Sequence, residues 1–222
     1  MEHTEVTVME DIFERNDKIA LETNQALSER GIFTVNIMGA PGVGKTTFLV
    51  RLIQLLAKPA FVIEGDIESD IDTKKLLDLG IAALQLNTGG ACHLESTIIA
   101  DAVKTVSLEN GYLFIENIGN LVCPAEFIIG EHIKLLISTV TEGSDKPYKY
   151  PLAFEKADVI IINKADLSAY VDFDEAYFIK GIQALNKNAP IFKVSAKTGE
   201  GFGEVAAWIT EQAKQINSSI KK

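Results

Sequence analysis

The chain is predicted to fold as an α/β domain with a mostly parallel central sheet of about seven strands, helices on both faces and a further helix at the N-terminus. Two observations carry this reading. Short apolar runs at residues 32–38, 60–63, 82–86, 112–115, 135–138, 159–162 and 191–194 alternate with segments of helical period. Strands that are apolar along their whole length belong to sheets covered on both sides. The first run also leads straight into a glycine-rich turn and then a helical pattern over 46–56, the order strand, phosphate loop, helix. With 222 residues, 47% of them hydrophobic, the chain is long and apolar enough to bury one good-sized core. A single domain is therefore expected, spanning 32–222, with a helix inside 1–31 packed against it.

In that N-terminal segment Val8, Ile12, Ile19, Ala26 and Leu27 lie roughly on one helical stripe, and Gly31 after Arg30 supplies a stop. After the first strand, Gly39, Ala40, Pro41, Gly42, Val43, Gly44, Lys45 and Thr46 complete the pattern GxxxxGK[ST], which marks a P-loop NTPase when a strand precedes it and a helix follows. Its glycines let backbone amides turn inward around a β-phosphate, and the helix N-terminus adds its positive end. Lys45 is expected to reach the β- and γ-phosphates and the Thr46 hydroxyl to ligate magnesium, with Thr47 beside them in the nucleotide-binding set.

Ligands collect at the carboxyl ends of the strands in such sheets, and each remaining motif follows a strand. Asp66, after the 60–63 run, is an acidic candidate for the magnesium shell, whereas Asp70 and Asp72 read as helix-start residues on a solvated face. The 112–115 run ends in Glu116, with Gly119 three positions on. Glu116 is expected to hold magnesium or to position the attacking water, and the Gly119 amide to sense a γ-phosphate. No glutamine follows Gly119, so slow intrinsic turnover is expected.

The base is chosen further along. Asn163, Lys164 and Asp166 follow the sixth run as NKAD. A carboxylate at Asp166 can accept both N1–H and the exocyclic amine of guanine, whereas adenine would leave it facing an acceptor, a costly desolvated mismatch. Lys164 can lie over the ring, and Asn163 can tie its loop to the phosphate loop. Ser195, Ala196 and Lys197 follow the last run, where a backbone amide can donate to guanine O6. GTP and GDP with magnesium are therefore the expected ligands.

Both cysteines sit in loops that should surround the nucleotide. Cys92 and His93 precede a helical pattern from Leu94, and Cys123 lies four residues after Gly119. A nearby helix start is expected to lower the Cys92 thiol pKa. Two thiolates and an imidazole suit zinc, nickel or copper, and three ligands leave a fourth position to solvent or to a second copy of the chain. The alternative is that Cys123 is a small buried hydrophobe and His93 a helix-cap hydrogen bonder. His3 and His132 read as ordinary surface residues.

Composition narrows the partners. A net charge of -10 disfavours nucleic acid, which needs clustered Lys and Arg. There is no apolar stretch of membrane-spanning length and no basic-then-apolar secretory start. Two cysteines build no disulfide scaffold, and a reducing cytoplasm is the expected compartment.

The phosphate loop, Glu64-Gly65-Asp66, Asn87-Thr88-Gly89, Ala91-Cys92-His93-Leu94-Glu95, the run from Glu116 through Asn117-Ile118-Gly119-Asn120-Leu121-Val122-Cys123 to Pro124, and the NKAD motif together resemble HypB, the GTPase family of hydrogenase nickel insertion. The resemblance implies a nickel or zinc site of Cys92, His93 and Cys123 at a homodimer interface favoured by GTP. It also implies a HypA-type nickel chaperone and a hydrogenase large-subunit precursor as partners. Two departures stand out: the chain has no N-terminal CxxC-type site or His-rich tract, and Gly90 stands where the family often has Lys. The rival readings are an accessory GTPase for urease or a cobalamin enzyme, and a regulatory GTP switch with structural cysteines. The urease type would show Cys-Pro-His, but Ala125 follows Cys123-Pro124 here.

Overall fold

The computed structural model describes the backbone of residues 5–66 and 71–220 and the side chains of 12–65 and 72–216. His3, Asp70 and the side chains of Val8 and Asp66 lie outside the described residues. Seven strands form one sheet: β1 (Phe33–Met38), β2 (Ala60–Asp66), β3 (Ala82–Asn87), β4 (Tyr112–Glu116), β5 (Ile133–Thr139), β6 (Val159–Asn163) and β7 (Ile191–Lys193). Their order is β3-β2-β4-β1-β5-β6-β7 and every ladder is parallel. The helices are α1 (Glu5–Glu29), α2 (Lys45–Ile53), α3 (Ile71–Asp78), α4 (Ser96–Val103), α5 (Cys123–Glu126), α6 (Lys146–Lys149), α7 (Pro151–Lys156), α8 (Glu175–Leu185) and α9 (Phe202–Ile220).

The apolar runs are strands because both of their faces are covered. β1, β4, β5 and β6 are buried at every position, while the edge strands β3 and β7 are only partly so. Alternation sends Phe33, Val35 and Ile37 of β1, with Ile133, Leu135 and Ile137 of β5, into one core beneath Phe48 and Leu49 of α2 and Phe202, Val205 and Ile209 of α9. The opposite face holds two clusters, one against α1 and α4 and one against α5, α7 and α8.

A polar seam on that second face belongs to the same strands. Thr34 and Asn36 of β1 and Lys134 of β5 are buried there, and Asn36 and Lys134 are direct register neighbours. The Lys134 ammonium donates to the carbonyls of Ala125 (3.0 Å) and Phe127 (2.8 Å) and lies 3.8 Å from Glu131. Glu131 in turn accepts from Ile129 N (2.7 Å) and from the Asn36 amide (3.4 Å). Burial pushes the Glu131 carboxyl up and the Lys134 amine down. Glu131 and Lys134 are inside because the returning segment 125–131 has backbone groups to satisfy, and buried donors and acceptors are usually paired; Thr34 Oγ1 is buried without a partner among the described residues.

Helix α1 packs on α4 and β1, and of the apolar stripe read from its sequence, among the described side chains, Leu27 alone is buried. Ile12 is 54% exposed and Ala26 is exposed; the inward face is Asn16, Ala20, Thr23 and Leu27. Asn16 donates to Ile128 O (2.9 Å) and accepts from Ser96 N (3.2 Å), while Asn24 donates to the carbonyls of Gly130 and Glu131. The helix grips backbone, so its contact face needs amides where an apolar period looks for carbon.

His132 is likewise no ordinary surface residue. Its ring stacks on Phe33 at 5.3 Å, Nδ1 accepts from Thr34 N (2.9 Å), and Nε2 lies 2.8 Å from Ser28 Oγ. Because Nδ1 is an acceptor, the proton sits on Nε2 and the ring is neutral. Burial lowers its pKa to about 4. A base whose folded pKa lies below its unfolded value of about 6.5 contributes stability at neutral pH that is lost as pH falls from 6.5 through 4. We expect up to about 3 kcal/mol of pH-dependent stability from this ring. Urea unfolding of the unmodified chain and His132→Asn at pH 7 and pH 4.5 checks it: the variant should lose less on acidification.

Candidate functional site

The phosphate loop leaves β1 at Gly39 and enters α2 at Lys45. Gly44 carries φ 92°, a conformation that favours glycine, and a side chain there would press on Asn163 Nδ2 at 3.1 Å. Lys45 Nζ donates to Gly39 O at 3.4 Å, folding the ammonium back over the loop. Beside it, a cavity of about 280 Å³ is lined by residues that include Lys45, Glu64, Asp72, Glu116 and Gly119. Asp72, expected on a solvated face, is half-buried in this lining, because the first turn of α3 returns toward the phosphate loop. The Asp66 side chain lies outside the described residues. Glu64, not singled out from sequence, is 2% exposed and accepts from Thr73 Oγ1. Its position inside an apolar strand is the signal: a carboxylate buried there needs a reason.

Glu116 sits at the end of β4, where Thr46 Oγ1 donates to its Oε1 at 3.2 Å. Its Oε2 is buried without a hydrogen-bond partner among the described residues. Burial pushes its pKa up to about 8, against the pull of Lys45. An orphaned carboxylate oxygen beside a threonine hydroxyl and a second buried carboxylate is an all-oxygen donor set, which fits a hard divalent cation such as magnesium.

The base-side motifs meet at the other lip of the loop. Asn163 donates from Nδ2 to Val43 O (2.9 Å) and accepts Ala196 N on Oδ1 (3.2 Å), joining three loops through one amide. Lys164, at φ 59°, donates to Gly42 O at 2.7 Å. Asp166 accepts from Ser195 Oγ at 2.6 Å, and Ser195 Oγ accepts Thr198 N at 3.1 Å. Arg51 donates to the carbonyls of Ala196 and Lys197, holding that turn against α2. Thr47 lies on the first turn of α2, exposed.

Cys92, His93 and Cys123 converge as a separate cluster. One ligand atom from each lies within 4.8 Å of the others; Cys92 Sγ is 3.2 Å from Cys123 Sγ and 3.4 Å from His93 Nδ1. Cys123 is half-buried, and Glu95 rather than His93 stands at the N-cap position of α4, which carries no side-chain cap bond, so neither the buried-hydrophobe nor the helix-cap alternative describes these residues. The expected lowering of the Cys92 pKa is corrected as well. The thiol is held above its usual value by its hydrogen bond to Cys123, and α4 starts only at Ser96, too far for its N-terminus to act. The His93 ring stacks on Phe127 at 4.4 Å, and Phe127 stacks on Phe13 of α1 at 5.0 Å. His93 Nδ1 faces the Cys92 thiol, while Nε2 is buried with no partner among the described residues. Soft sulfur and imidazole nitrogen suit nickel or zinc over magnesium.

Comparison with known proteins bears on this geometry. Residues 33–193 match the family described as CobW/HypB/UreG, nucleotide-binding domain. The hydrogenase maturation factor HypB of Azotobacter vinelandii is 43% identical over 208 residues, covering 92% of this chain and 69% of that protein. The crystal structure of HypB from Helicobacter pylori in complex with nickel superposes with a TM-score of 0.87 at 34% identity, covering 90% of this chain and 96% of that one. HypB of Archaeoglobus fulgidus superposes with a TM-score of 0.84 at 35% identity, covering 90% and 99%. The chain belongs to the CobW/HypB/UreG family and, within it, to the hydrogenase maturation factors named HypB.

Proposed function

We propose that this chain is a GTP-hydrolysing metallochaperone that binds nickel, with zinc as the alternative occupant, and couples hydrolysis and dimerisation to nickel insertion into a NiFe-hydrogenase precursor in the cytoplasm. The observation that carries this reading is the placement of Cys123 on the same short segment as Glu116 and Gly119, facing Cys92 and His93. A change at the phosphate end of that segment moves a metal ligand at its other end. The nickel-bound Helicobacter pylori relative supports the metal assignment.

Each part of the site has a role in this scheme. Amides of residues 39–46 and the Lys45 ammonium bind the phosphates. Asp166 selects guanine, with Ser195 orienting its carboxylate. Thr46 and Glu116, with Asp66 as the further acidic candidate, would hold magnesium, which supplies charge neutralisation between the phosphates. Gly119 sits against Pro41, where an added Cβ would lie 3.0 Å from the proline ring, so its amide can approach a γ-phosphate. No glutamine follows it, and turnover without a partner is expected to be slow. The folding unit is one domain over 32–222, with α1 docked on it.

Nickel titration of the unmodified chain, Cys92→Ala and Cys123→Ala, each with magnesium and either GDP or a non-hydrolysable GTP analogue, tests the reading. The unmodified chain should bind one nickel per chain with different affinity in the two states, and both variants should lose tight binding. Equal affinity in both states would remove the coupling, and absence of stoichiometric nickel or zinc would favour a plain GTP switch.

A further inference from the structure

We propose that Asn117 is the positioning residue that transmits nucleotide state to the thiol–imidazole cluster, an inference that rests on the coupling reading above. Its side chain is 1% exposed and lies between the two sites. One oxygen, Oδ1, accepts two backbone amides: Ile118 N at 2.9 Å and Leu94 N at 3.3 Å. Ile118 immediately precedes Gly119, and Leu94 immediately follows His93. The phosphate-facing loop and the metal-facing loop are thus hung on a single atom.

That atom is held from behind. Asn117 Nδ2 donates to Asn36 Oδ1 at 3.2 Å, and its own N–H donates to Ile37 O at 2.9 Å, so the amide plane is referenced to the rigid centre of the sheet. Asn36 Nδ2 continues to Glu131, which lies beside Lys134. Asn117 also lines the cavity with Lys45, Glu64 and Glu116.

A second tie runs parallel to the first. Asn120 forms an isolated bridge with Gly39 of the phosphate loop, and its Nδ2 donates to Cys92 O at 3.2 Å. Pulling Gly119 toward a γ-phosphate shifts Ile118, and an acceptor shared between two donors cannot satisfy one afresh without loosening or reorienting the other. Leu94 and the neighbouring His93 therefore respond to the nucleotide even though neither touches it.

The test reads nickel dissociation constants, by competition with a chromophoric chelator, in magnesium–GDP and in magnesium–GTP-analogue. We expect the unmodified chain to show a ratio of about fivefold or more between the states. In Asn117→Ala that ratio should fall toward one while a single nickel still binds. Asn117→Asp keeps an oxygen for both amides but sets its second oxygen against Asn36 Oδ1, so it should lose part of the ratio and less of it than Asn117→Ala. An undiminished ratio in Asn117→Ala overturns the assignment of Asn117 but leaves the proposed function standing, as does loss of the ratio in Asn117→Asp to the same extent. A ratio of one in the unmodified chain overturns the coupling itself. Should Asn117→Ala not fold, amide hydrogen exchange in the unmodified chain decides: Leu94 N–H protection must change on adding the GTP analogue, and an unchanged rate sinks the proposal.

Discussion

Replacing Asp166 with asparagine is expected to weaken GTP binding by about 100-fold or more, while ATP binding stays as weak as in the unmodified chain. The carboxylate is positioned by the 2.6 Å bond from Ser195 Oγ, and its loop is tied to the phosphate loop through Asn163 and Lys164. Guanine offers two donors to one carboxylate. Hydrogen bonds to a charged group contribute about 1.5–3 kcal/mol each, so losing both corresponds to roughly 3–6 kcal/mol, or about two to four decades of affinity. Asparagine also turns an N–H₂ toward guanine N1–H. Fluorescence titration with labelled GTP, GDP and ATP is the check; a change of less than about threefold for GTP would mean that the base is read elsewhere.

The second large effect lies away from the nucleotide. Lys134→Met should cost about 3–5 kcal/mol of unfolding free energy, because it strands Glu131 and two carbonyls in a buried site. The ammonium serves Ala125 O, Phe127 O and Glu131 at once. The double variant Lys134→Met with Glu131→Gln should lose less than the sum of the two single variants, since the uncompensated charge is removed. Urea unfolding of the four proteins measures this. A loss below about 1 kcal/mol in Lys134→Met would show that water replaces the amine, and strictly additive losses would show that the two groups act separately.

The order strand, glycine loop, helix was legible in the chain because glycine positions and apolar periods are local properties. The same holds for Asn163, Asp166 and Ser195, whose spacing after strands placed them before any coordinates did. The three metal-type ligands were legible as types in nearby loops; their convergence to within 4.8 Å depends on β3 and β4 flanking β2, which no local pattern states. Asn36, Glu64 and Lys134 were hidden for another reason. Each stands within or beside an apolar strand, where a single polar residue looks like noise in the period, although burial of its head group requires a long-range partner. The inward face of α1 failed on the same ground: Asn16 and Asn24 answer to carbonyls more than a hundred residues away. His132 gave no signal, since its neutrality comes from Thr34 N–H, Ser28 and Phe33 together.

The grip of α1 reaches the loop that carries Cys92 and His93. The matched family region covers residues 33–193, so Asn16, Asn24 and Phe13 fall outside it. Yet they brace the backbone at Ile128, Gly130 and Ser96 and stack behind the ring that shields His93. A substitution in this helix can therefore stiffen or slacken the loops that carry Cys92 and His93 while both residues and every P-loop and NKAD position stay unaltered, a lever set at a distance from the chemistry.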